Sequence, residues 1–173
     1  MNDAFQADGV VDIMNVTLVP FGNARFSPSG NLTCQHGPEE CTANSYEQCA
    51  IDAFPDFTTH FPFYLCMERA GEKMVKQAQK CAESAGLDYE KIKSCVDDPD
   101  KSMTLQKRFH ELTPKDHKYT PWVVVNGKLS KSNGEKLLEE VCAAYTGTAP
   151  AGCTSLLHRK ERRVCHADSV EAQ

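Results

Sequence analysis

Cys34, Cys41 and Cys49 stand in one sixteen-residue run, CQHGPEECTANSYEQC, with His36, the acidic pair Glu39 and Glu40, and Asn44. Thiols, an imidazole and carboxylates so close together offer two kinds of chemistry: thiol–disulfide exchange and metal binding. Six residues separate Cys34 from Cys41, and seven separate Cys41 from Cys49. Neither spacing gives the tight ring that makes a C-x-x-C disulfide easy to open and close. Cys34, His36 and Cys41 are zinc-type ligands, but structural zinc wants two close ligand pairs and no second pair is apparent. The plainer reading is that these cysteines are structural.

Nine cysteines, at 34, 41, 49, 66, 81, 95, 142, 153 and 165, point to an oxidising compartment. Two glycosylation sequons, Asn15-Val16-Thr17 and Asn31-Leu32-Thr33, point the same way. A secretory route is therefore expected. Residues 1–10 carry neither the basic start nor the apolar run of a signal peptide, so the leader is expected outside this chain. The odd cysteine count leaves at least one thiol without a partner in the monomer, free or bridging to another chain in a disulfide-linked dimer. Cys165, near the C-terminus, is the candidate. The net charge of −5 is spread along the chain and gives no footprint for nucleic acid or an anionic membrane. No apolar run approaches the ~20 residues that span a bilayer.

A length of 173 residues with 40% hydrophobic content suits one domain, or one domain with an insertion. The elements that must position the cysteine run read as follows. Residues 10–19, VVDIMNVTLV, are rich in β-branched side chains and end at Pro20, which predicts a largely buried strand. Residues 21–24 form a loop, 27–31 a turn cluster, and 32–35 a short returning strand. Residues 39–54, 56–70, 71–85, 88–97 and 99–112 read as short helices. Asp56 and Asp88 are caps, and Gly71 and Gly86 are breaks. Cys41, Cys49, Cys66, Cys81 and Cys95 are spread over these helices, as staples that offset a thin core. Residues 113–119 are loop-like. Trp122-Val123-Val124-Val125 is a strand, and Asn126-Gly127 is a hairpin turn that starts a second strand near Lys128. Residues 134–146 are a helix with Leu137, Leu138, Val141, Cys142 and Tyr145 on one face. The tail from Gly147 reads as irregular, pinned by Cys153, with a basic HRKERR patch at 158–163.

The cysteine run resembles the signature of the gamma-interferon-inducible lysosomal thiol reductase (GILT) family. That signature is C-Q-H-G, two residues, E-C, two residues, N, four residues, C. Its fixed positions are matched by Cys34, Gln35, His36, Gly37, Glu40, Cys41, Asn44 and Cys49. Residues 15–24, Cys66-Met67-Glu68, Tyr119–Val123, Asn126-Gly127-Lys128 and Val141-Cys142 extend the likeness in the right order.

The resemblance implies an α/β, thioredoxin-like fold with a cysteine-rich helical insertion at about 39–112. The fold's first strand and most of its first helix would be absent from this chain. The domain would cover 1–150, with 151–173 as a tail. Thr120-Pro121 would be the cis-proline substrate loop, and Cys66, Cys81, Cys95, Cys142, Cys153 and Cys165 structural. The implied activity is reduction of protein disulfides in a lysosomal or extracellular setting. The family's C-x-x-C nucleophile and resolving thiol have no match among the nine cysteines, so no catalytic residue, metal or cofactor is assigned within the chain. A C-x-x-C is predicted upstream, roughly 20–30 residues before Ala4, allowing one helix and its turn. Trp122–Val125 and 10–19 would flank the fold's first strand, or pair directly without it. The alternative is a non-catalytic, secreted, disulfide-stapled binding protein.

Overall fold

A computed structural model describes residues 2–156. Two compact units share the chain. One takes 2–15 and 121–156, and the other is Val16–Thr120.

The Val16–Thr120 unit is built on helices. A two-stranded antiparallel hairpin, β1 (Arg25–Phe26) and β2 (Leu32–Thr33), leads into α2 (Pro38–Ala53). Then follow α3 (Phe57–Ala70), α4 (Met74–Ser84), α5 (Tyr89–Asp97) and α6 (Pro99–Leu112). These match the five helices read from sequence. The caps match too: the Asp56 side chain accepts from Thr59 N–H and Asp88 from Lys91 N–H. Asp98, which the sequence reading did not single out, accepts from the N–H groups of Asp100 and Lys101 and starts α6.

α2 is the axis of this unit, packed by α3, α4, α5 and α6. Every residue from Ala43 to Ala50 is buried, although Asn44, Ser45, Glu47 and Gln48 are polar. The apolar core around it includes Phe21, Phe63, Met67, Ile92 and Phe109. Cys49–Cys95 ties α2 to α5, Cys66–Cys81 ties α3 to α4, and Cys34–Cys41 ties the loop after β2 to α2.

The other unit begins with α1 (Asn2–Gln6) and a 3-10 turn over Val11–Ile13. Its remaining elements are the hairpin β3 (Val124–Val125) and β4 (Lys128–Leu129), then α7 (Leu137–Ala144). A helical stretch covers 151–156. Asn126 and Gly127 have φ of 47° and 75°, the left-handed pair that a tight two-residue hairpin requires. Ala4, Val10, Leu137, Val141 and Cys153 form a small core, and Cys142–Cys153 closes α7 onto the 151–156 helix.

Three expectations fail here. Residues 10–19 contain no strand: Val10 N–H bonds to Ala7 O, Ile13 N–H to Val10 O and Met14 N–H to Val11 O, which makes a turn instead. Consequently no sheet joins 10–19 to Trp122–Val125, and β3 pairs only with β4 among the described residues. The physical reason is that β-branched side chains favour a pleat only where a neighbouring strand takes the backbone hydrogen bonds. The segment is also divided, with Asn15 in one unit and Val16 in the other. Finally, the tail is not irregular throughout, since 151–156 is helical. The fold is thus mostly helical with two small hairpins and four disulfides, compatible with an α/β class. The HRKERR patch and Cys165 lie outside the described residues.

Candidate functional site

The signature run occupies the loop after β2 and the first turns of α2. Gly37 sits at φ 98°, a conformation side chains disfavour, and Pro38 follows at the first helical position. Glu39 and Glu40 lie in the first turn, where the helix's free N–H groups favour negative charge. Cys34 is buried and Cys41 half-buried, and their disulfide spans the turn with Cα atoms 5.6 Å apart. Glu40 Oε2 accepts from the His36 backbone N–H and lies 2.9 Å from His36 Nδ1, so one carboxylate holds both ends of that residue.

The fixed positions Gln35 and Asn44, with the neighbouring Gln48, also grip the Pro20–Asn23 loop. On its exposed side, Asn23 Nδ2 donates to Gln35 Oε1 at 2.7 Å. On its buried side, Asn44 Nδ2 donates to Phe21 O at 3.4 Å and Gln48 Nε2 to Pro20 O at 2.7 Å. Gln48 Nε2 also reaches Gln106 Oε1, and Gln106 Nε2 donates to Cys41 O and Ser45 Oγ. Buried amides paired in this way fix one arrangement of loop and helix.

The 113–120 segment meets the same loop. His117 Nε2 lies 3.2 Å from Asn23 Oδ1, and His117 Nδ1 lies 2.9 Å from Pro114 O. A Cβ on Gly22 would stand 3.8 Å from Thr120 Cγ2 and 3.9 Å from Glu40 Oε1, so Gly22 lies between the two. The structure therefore brings together Gln35, His36, Glu40 and Thr120, of which Gln35, His36 and Thr120 are exposed. Pro121 belongs to the other unit. Asn15 and Asn31 are exposed, as are Thr17 and Thr33.

Chemically this is a hydrogen-bonding face, with its sulfurs already spent. All eight cysteines among the described residues are in disulfides. Among the described residues no group of three or more His, Cys, Asp or Glu converges as a metal site. No described helix is long and apolar enough to cross a membrane.

The sequence reading passed over a second cluster. Glu47 is 1% exposed and its Oε1 has no hydrogen-bond partner among the described residues. Burial, and then the Glu68 charge, push its carboxyl well above the usual range. Tyr64 is half-buried. Burial pushes its hydroxyl strongly up, followed by the charges of Glu47 and Glu68 and a hydrogen bond to Glu68. Glu68 is exposed as a whole residue, but burial of its carboxyl raises it too, with the hydrogen bond from the Tyr64 hydroxyl working the other way. Glu47 lies in a polar-looking stretch, SYEQC, and only its place on the central helix marks it.

A profile of the family described as "Gamma interferon inducible lysosomal thiol reductase" matches residues 1–85. The chain is 34% identical to a gamma-interferon-responsive lysosomal thiol protein of Arabidopsis thaliana over 151 residues, 83% of this chain and 62% of that protein. It is 33% identical to a gamma-interferon-inducible lysosomal thiol reductase of Carassius auratus over 165 residues, 89% of this chain and 64% of the relative. A protein of the same name from Mus musculus is 34% identical over 165 residues, 91% and 65%. The chain thus spans slightly less than two thirds of the length of these relatives. Plant, fish and mammalian likenesses cover most of this chain, and every fixed position of the signature is filled; the chain belongs to the gamma interferon inducible lysosomal thiol reductase family.

Proposed function

We propose that this chain is the body of a thiol–disulfide oxidoreductase of the lysosomal or secretory pathway, and that these 173 residues alone turn over no disulfide. One observation carries the reading: the complete signature occurs here, in a chain similar to proteins named thiol reductases, with no C-x-x-C. A reductase of this kind needs one thiolate to attack and a second to resolve the mixed disulfide. The eight described cysteines are committed to each other.

The thioredoxin-like assignment, the domain over 1–150 with its helical insertion, and the tail beyond it belong to the same proposal and rest on the family. In such a fold a further strand pairs beside 122–125, and a segment bearing that strand and the dithiol gives β3 a second neighbour. Thr120 beside Gly22 supports Thr120-Pro121 as the substrate loop, and the substrates are disulfide-containing proteins. Glycans at the exposed Asn15 and Asn31, and a dimer linked through an unpaired thiol, are part of this reading.

A second reading is favoured by the exposed Gln35, His36 and Thr120 beside a spent disulfide: a secreted binding protein without catalysis. Insulin-disulfide reduction by the 173-residue chain, at acid and neutral pH, tests both. No turnover above free thiol is expected; turnover abolished by replacing one cysteine overturns the inactivity. Joining the chain to the upstream coding segment separates the two readings. A C-x-x-C there that restores reduction supports the oxidoreductase, and a segment without one supports the binding protein.

A further inference from the structure

The disulfides of the helical unit leave the α2–α3 seam without a covalent tie, as they do α2–α4 and α2–α6. Cys49–Cys95 joins α2 to α5 and Cys66–Cys81 joins α3 to α4. No disulfide runs from α2 to α3, although the two helices pack together. Glu47 lies on this seam, two residues before Cys49. The Glu68 charge of α3 acts on its carboxyl and its own charge acts on Tyr64 of the same helix, and Glu68 is two residues after Cys66.

The other ionisable groups on the elements packed against α2 are engaged elsewhere or exposed. Lys101 and Arg108 of α6 pair with Asp52, at 3.3 and 3.6 Å. Lys91 of α5 donates to Ala53 O and lies over the Phe54 ring, while Tyr89 stacks on Tyr46. The remaining charged residues of α5 pair with each other or face solvent: Lys93 with Asp97, and Glu90 exposed. His60 of α3 points Nδ1 at Phe54 O. Arg69 of α3, Lys76, Lys80 and Glu83 of α4, and Asp100, Lys107, His110 and Glu111 of α6 are exposed, and β2 has no ionisable side chain. The charge that acts on Glu47 is therefore another acid, Glu68. A buried carboxylate with a bare oxygen and no cation is strongly unfavourable, whereas the neutral acid leaves only one polar atom unmatched.

We propose that Glu47, with Tyr64 and Glu68, is a proton-operated latch on the α2–α3 seam, closed while the Glu47 carboxyl is protonated and loosened when it ionises. The direction follows from linkage. In the unfolded chain Glu47 gives up its proton near the ordinary value of 4.5, and in the folded chain it keeps it to higher pH. The stabilisation is complete below the ordinary value and is lost as pH rises through the folded one. For one such proton the folding equilibrium constant falls about tenfold per pH unit. The two stapled helix pairs stay intact while the seam between them weakens.

Urea unfolding of the full chain with its disulfides intact, at about pH 5 and about pH 8, tests the latch. The wild-type folding constant is expected to fall between the two, and Glu47→Gln is expected to lower that fall by at least about tenfold. An equal pH dependence in both proteins overturns the proposal. Should Glu47→Gln not fold, infrared spectroscopy of the wild type and of Glu68→Gln decides. Both should show a protonated-carboxyl carbonyl band at a pH just above the ordinary carboxyl range that disappears in urea, and a folded protein without that band overturns the latch.

Discussion

The two units reach order by different means. The Val16–Thr120 unit buries a broad core from Phe21 to Phe109 around one central helix, and three disulfides cross-link what packing already holds. The unit of 2–15 and 121–156 has five buried apolar residues and a single disulfide. So small a core supplies little surplus over chain entropy, and a cross-link then carries a larger share of the stability. The family signature lies wholly in the first unit. Its fixed residues act as scaffolding for the loops around Gly22, with no free sulfur among the described residues to act as a reagent.

The largest expected effect comes from the longest cross-link. Replacing both Cys49 and Cys95 by Ala opens a loop of sequence separation 46, which loop-closure entropy values at about 4 kcal/mol. Both sulfurs are buried, so the lost packing adds to this. Urea unfolding of the helical unit, followed by hydrogen exchange in α2 and α5, measures it. A loss near zero would mean that core packing alone holds α2, and the contrast between the units would then lie in core size only.

The matching change in the other unit is smaller in absolute terms. Cys142 and Cys153, with a separation of 11, correspond to about 3 kcal/mol on the same scale. Against a five-residue core this should unfold α7 and 151–156 outright. Loss of exchange protection in Leu137–Ala144 is the readout. Full protection in the double Ala variant would show that Leu137 and Val141 suffice, and would remove the distinction drawn above.

Asn44→Ala tests the scaffolding role of the signature. It removes the donor to the buried carbonyl of Phe21 and should lower stability by about 1–2 kcal/mol. It should also loosen the loop that carries Gly22 and Asn23. Exchange or proteolysis at Pro20–Asn23 reads the second effect. A loss of stability without a change in that loop would assign Asn44 to the core and not to the site.

Much of the helical unit was legible because its signals are local. Asp56 and Asp88 at caps, Gly71 and Gly86 at breaks, and cysteines at helical spacings depend only on near neighbours. Residues 10–19 misled because β-branched composition states a preference that needs a partner strand, and none among the described residues pairs with this segment. α2 hid its role for the opposite reason. A helix packed on several sides should read as apolar, yet Asn44, Ser45, Glu47 and Gln48 point inward. Three of these four bond to distant partners, at Phe21, Ser102, Pro20 and Gln106, which no local pattern can announce. The signature residues were recognised in advance. That they form a clamp on the 20–23 loop was not.

The smallest effect separates two carboxyl groups on neighbouring helices whose pKa shifts run in opposite directions. Asp56 is exposed at the start of α3. The hydroxyls of Thr58 and Thr59 and the Thr59 backbone N–H bond to it and hold its pKa below the ordinary 3.8. Its folded value is depressed, so its contribution is present above 3.8 and is lost as pH falls through the folded value. Glu47 works in the other direction, losing stabilisation as pH rises above 4.5. Stability should therefore fall on both sides of a mildly acidic maximum. Asp56→Ala should flatten only the acid limb and leave the fall toward neutral pH unchanged. Urea midpoints across the acid and neutral ranges measure both limbs. If Asp56→Ala altered the neutral limb instead, the cap and the buried acid would be coupled through α3, and the division between an exposed cap and a buried latch would have to be redrawn.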